Sequence, residues 1–100
     1  GLQVTAVGGP PEGAVEAVLQ ALTQILERQR GRAKRVTVPQ VAAAVKGRGR
    51  PTPNDYYHVY QVLNWLHTTG QPVHVNGGEW RVVGVERGRK KYSFHLARVA

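Results

Sequence analysis

Along this chain the spacing of apolar residues changes period from three-and-four to two from Pro72 onward. A helix brings residues three and four apart onto one face, whereas a strand brings every second residue there. Before Pro72, Val15, Val18, Leu19, Leu22, Ile25 and Leu26 form one helical stripe, and Val41, Ala42 and Val45 form a second. Tyr56, Val59, Val62, Leu63 and Leu66 form a third. After it, Val73 and Val75, then Trp80 and Val82, then Tyr92, Phe94 and Leu96 follow the two-residue period. The pattern predicts an α+β fold of three helices followed by a small antiparallel β-sheet.

Local signals set the expected boundaries. The first helix is predicted at 11–30, with Glu12 and Glu16 in its early turns, Arg28 and Arg30 in its last, and Gly31 as the stop. That arrangement would match the helix dipole at both ends. A very short β segment is expected at 36–38. The second helix is expected at 39–46, with Pro39 in its first turn and Gly47 ending it. For the third helix Thr52 is the cap, Pro53 sits where a missing N–H costs nothing, Asp55 faces the positive end of the dipole, and Gly70 closes it. Its polar face carries Asn54, Tyr57, Gln61, Asn64 and Thr68. Asn76-Gly77-Gly78 reads as one hairpin turn and the stretch from Arg87 to Lys91 as the next, so the second hairpin projects a cationic tip. Residues 1–10 are expected to be a tail or a short strand, with 11–100 as one domain.

All but Arg81 and Arg98 of the fourteen Lys and Arg residues fall in three stretches free of Asp and Glu: Arg28 to Arg35, Lys46 to Arg50, and Arg87 to Lys91. An ordinary solvated surface mixes both signs, and clusters of one sign build a potential that attracts polyanions. With a net charge of +8 on 100 residues, nucleic acid is the expected partner. The absence of cysteine removes disulfides and thiolate metal sites. No run approaches the ~20 apolar residues of a membrane-spanning helix. An intracellular protein is expected, cytoplasmic and nucleoid-associated or nuclear. A chain that starts with Gly and contains no Met is expected to be excised from a longer one.

Catalytic chemistry finds little material. Ser93 is the only serine and Asp55 the only aspartate. The glutamates are spread between the first helix and the strands, without the pairing that acid–base catalysis requires. His58, His67, His74 and His95 follow no metal-ligand spacing. The turn glycines lack the patterns that cradle nucleotide phosphates. No enzyme activity, metal, cofactor or small-molecule substrate is expected. Trp65 and Trp80 are assigned to the core, where large aromatics of a small domain usually belong.

Helix, short strand, short helix, longer helix and basic-tipped hairpin is an order that resembles the winged helix-turn-helix family over residues 11–99, and Val36-Thr37-Val38-Pro39-Gln40-Val41-Ala42 is similar to the start of the second helix in many such domains. The resemblance implies that the third helix enters the DNA major groove through Asn54, Tyr57, His58 and Gln61, and that the wing contacts phosphates through Arg87, Arg89, Lys90 and Lys91. It implies further contacts from the loop before that helix (Lys46, Arg48, Arg50 and Thr52) and secondary phosphate contacts from Arg32, Lys34 and Arg35. Within the loop, Arg48-Gly49-Arg50-Pro51 is similar to an AT-hook core, which lies in narrow A·T-rich minor grooves. A flexible basic connection is the other reading, and both put cations beside DNA. The third helix carries no Lys or Arg, so bidentate Arg–guanine contacts are absent from it. The implied function is weakly specific double-stranded DNA binding in transcription regulation, chromatin or replication. The alternatives are a protein-contact module in a replication or transcription assembly, or binding to RNA or the ribosome.

Overall fold

The first helix, α1, spans Glu12–Leu26 and stops where its apolar stripe stops. The computed structural model describes residues 10–100, and the tail or short strand expected at 1–10 lies, apart from Pro10, outside them. Val18, Ala21, Leu22 and Leu26 are buried along one side of α1. Beyond Leu26 the sequence Glu27-Arg28-Gln29-Arg30 has nothing apolar to bury, so a further turn would gain no packing. This corrects the expectation of a helix to residue 30: Arg28 and Arg30 lie outside α1, and its last turn holds no basic residue.

The next strand, β1, is Ala33–Thr37, longer and earlier than the segment expected at 36–38. Val38 already belongs to helix α2, Val38–Lys46, because Thr37 turns out of the strand to cap it. The Gln40 backbone N–H donates to Thr37 Oγ1 at 3.2 Å, and the Thr37 N–H donates to Gln40 Oε1 at 3.4 Å. This reciprocal capping box satisfies two helix-end donors that would otherwise lack partners.

Helix α3, Pro53–Thr69, begins with the same device. The Asp55 N–H donates to Thr52 Oγ1 at 3.2 Å and the Thr52 N–H donates to Asp55 Oδ2 at 2.7 Å. Gly70 ends α3 at φ 71°, the left-handed conformation that glycine adopts without strain. Thr52→Ala removes one half of the α3 box and is expected to cost about 1 kcal/mol of stability, read as a lowered urea midpoint.

Three further strands, β2 (Val73–Val75), β3 (Gly78–Arg87) and β4 (Tyr92–Arg98), complete an antiparallel sheet in the order β1-β4-β3-β2. Asn76 and Gly77, at φ 48° and 78°, turn β2 into β3. Positive φ at both central residues makes the twist of this two-residue turn match that of the strands. A bulge between Val82 and Gly84 shifts the β3–β4 register. Val36, Val82, Phe94 and Leu96 are buried on the helix-facing side of the sheet, against Leu22, Leu26, Val62, Leu63 and Leu66. Trp80 joins this core, and Trp65 packs half-buried against it. The chain is thus an α+β domain, three helices on a four-stranded antiparallel sheet. Among the described residues no helix is long and apolar enough to cross a membrane.

Candidate nucleic-acid interface

Strand pairing dictates which polar segments meet. Thr37, the last residue of β1, pairs with Ser93 at the start of β4, and α2 begins at the next residue. The start of α2 is therefore held beside the connection between β3 and β4. The N-terminal half of α3 lies against the same place, so that Val38, Pro39, Pro53, Tyr56, Tyr57, Tyr60, Lys90, Lys91 and Tyr92 line one groove of about 530 Å³.

The hairpin tip is Gly88 to Lys91, closed by the Gly88 N–H donating to the Lys91 carbonyl at 2.8 Å. Arg89, Lys90 and Lys91 are exposed on it. Arg87 belongs to the end of β3, paired with Tyr92, and its guanidinium carbon sits 5.9 Å from the centre of the Tyr92 ring. On α3, Asn54 and Tyr57 are exposed, while His58 and Gln61 are half-buried. Gln61 Nε2 donates to Tyr57 Oη at 3.3 Å, and the Tyr57 and His58 rings lie 6.0 Å apart. Of the residues assigned to the helix, Tyr57 lines the groove, and of those assigned to the hairpin, Lys90 and Lys91 do; Asn54, His58, Gln61, Arg87 and Arg89 are not among its lining residues.

The other assigned residues are distributed more widely. Lys46, the last residue of α2, reaches Asp55 at 3.5 Å across the turn into α3. The Thr52 N–H, with a smaller share from Lys46, holds the Asp55 carboxyl below its ordinary value, so Asp55 stays ionised and part of the Lys46 charge is offset. Between them Arg48 and Arg50 are exposed on a loop bent at Gly47 and Gly49, where φ is 75° and 78°.

Arg35 faces away from the helices, because its neighbour Val36 faces the core. It lies 3.9 Å from Glu86, which also sits 3.2 Å from His95 Nε2. Lys34 shares a recess beside the start of α2 with Arg28, Gln29 and Gln40. Arg32 is at the far end of the β1–β4 ladder from the tip, where its Nη2 donates to the Arg98 carbonyl at 3.4 Å. Arg32 is therefore not brought to the groove.

No known family, curated protein or solved structure matches the chain. What the surface can do follows from its own chemistry. The groove takes its cations, Lys90 and Lys91, from one of the three basic stretches, and its lining contains no Asp or Glu. The described histidines and carboxylates form no group of three that could hold a metal ion. Sequence reasoning overlooked Tyr56, Tyr60 and Tyr92 as groove residues. Tyr56 and Tyr60 are four apart and hence stacked along one flank of α3, a signal present in the sequence; the arrival of Tyr92 beside them depends on strand pairing.

Proposed function

We propose that this chain is a winged helix-turn-helix domain that binds double-stranded DNA with weak sequence preference and carries out no catalysis. The observation that carries the reading is the shared groove: the hairpin tip with Lys90 and Lys91 flanks the N-terminal half of α3, as a wing flanks a recognition helix. In this mechanism Asn54, Tyr57, His58 and Gln61 face the major groove. Asn54 and Gln61 have the amide chemistry to read adenine, and Tyr57 can donate to a phosphate. The exposed cations of the wing and of the loop before α3 bind phosphates and release counterions.

The test is fluorescence anisotropy with A·T-rich and G·C-rich duplexes across a salt series. If about six cations engage phosphates, the slope of log affinity against log salt is about −5. Absence of duplex binding at ~0.1 M salt, where non-specific binders still associate, would remove the proposal. Glu86 supplies a second check. Its carboxylate lies beside Arg35 and His95 near the wing. Glu86→Gln frees Arg35 and removes a negative charge, so duplex affinity is expected to rise by roughly severalfold, with a steeper salt slope. An unchanged affinity would place Arg35 outside the interface.

A further inference from the structure

We propose that the tyrosine-lined groove between α3 and the hairpin receives an unpaired nucleobase, so that the domain favours duplex DNA carrying a single-stranded tail over blunt duplex. This inference rests on the nucleic-acid reading above and adds to it a site for a base outside the helix. The groove, at about 530 Å³, falls within the ~300–1,000 Å³ typical of small-ligand sites. Its walls are aromatic. Tyr60 and Tyr92 lie with ring centres 4.8 Å apart and planes tilted by 42°. Tyr57 is 57% exposed at one side, and Tyr56 contributes a fourth ring.

The chemistry of the rim narrows the occupant. Lys90 and Lys91 belong to the lining, which contains no carboxylate, and the Arg87 guanidinium stands over Tyr92. A fitting ligand has a flat apolar body and negative charge on either side of it, which describes a nucleotide within a strand. An acidic peptide offers the same charge, but an extended peptide is normally held through main-chain donors on its receptor. Here two wall residues, Pro39 and Pro53, have no N–H to give. A base inside a duplex has both faces covered by its neighbours, so only an unpaired base can present a face to these rings.

The experiment compares three ligands on the intact protein: a blunt duplex, the same duplex with a three-nucleotide tail, and that duplex with an abasic tail. Stacking of one base predicts that the base-bearing tail binds about tenfold tighter than the abasic tail, which keeps the same phosphates, and at least that much tighter than the blunt duplex. A 2-aminopurine in the tail should lose fluorescence on binding as it stacks. Tyr56→Leu and Tyr92→Leu should bring the ratio of base-bearing to abasic tail affinity close to one, while Tyr56→Phe and Tyr92→Phe, which keep the ring, should preserve it.

An abasic tail as good as a base-bearing one would overturn the inference in favour of phosphate contact alone, even if the leucine variants failed to fold. Equal affinity for tailed and blunt duplex, both with steep salt slopes, would overturn the groove assignment and leave the duplex-binding reading standing. Binding to no DNA at all would overturn both. Recovery of the 2-aminopurine fluorescence on adding an acidic aromatic peptide, at concentrations no higher than a competing oligonucleotide needs, would reassign the groove to a protein ligand.

Discussion

Exchanging Arg89 and Lys90 for glutamate is expected to lower affinity for every duplex sequence alike, by roughly a hundredfold at about 0.1 M salt. Both side chains are exposed on the tip between Gly88 and Lys91, and no ion pair to a carboxylate holds either of them among the described residues. Their charge is therefore free for a phosphate. Each phosphate neutralised contributes about 0.9 to the salt slope, which at ~0.1 M is close to tenfold in affinity. Two lost contacts give the hundredfold, and the introduced carboxylates add repulsion. The fold should be unaffected, since the tip is closed by a main-chain bond from Gly88 to Lys91 rather than by these side chains. Anisotropy on A·T-rich and G·C-rich duplexes checks it. A loss confined to one sequence would mean that the tip reads bases, and no loss would remove it from the interface.

The second large effect is on stability. Phe94→Ala is expected to destabilise the domain by about 4 kcal/mol, within the ~3–5 kcal/mol range for truncating a buried phenylalanine. Phe94 is fully buried and sits in the sheet between Val36 of β1 and Val85 of β3. The Tyr60 ring of α3 lies 6.2 Å from its own. Truncation thus opens a cavity where three strands meet a helix, and the surrounding main chain is paired on both sides and cannot collapse into it. For a chain of 100 residues this corresponds to a fall in melting temperature of about 20 °C. Thermal melting by circular dichroism is the measurement; a fall of under ~5 °C would mean that the site relaxes around the smaller side chain.

The helices and the hairpin were legible because their signals are local. Thr52, Pro53 and Asp55 mark the start of α3 within four residues of sequence, and each plays the expected part there. Asn76-Gly77 marks a turn by the positive φ it tolerates. The end of α1 was misread because Gly31 is a stronger breaker than anything before it, yet the helix ends where burial ends, at Leu26. The start of α2 was misplaced by one residue although Thr37 and Gln40 spell out its capping box.

β1 was read too short for a different reason: Lys34 and Arg35 look unlike strand residues until β4 pairs with them. The site was less legible than the fold. Charge clustering located the cations, but which of them are offset by Asp55 or Glu86, and which tyrosines converge, depends on contacts between segments far apart in sequence.

The pairing of Ala33–Thr37 with a strand some sixty residues later also governs how the domain comes into being. Pairings of such wide separation form late, because the loop they close is long and its ordering precedes any gain from the contact. On the ribosome, α1, α2 and α3 emerge with their apolar stripes before the sheet that covers them exists. The start of α2 acquires its hairpin neighbour only when β4 docks against β1. Until that last strand is synthesised nothing holds the start of α2 beside the hairpin tip, and the groove between the tip and α3 cannot form before β4 is translated.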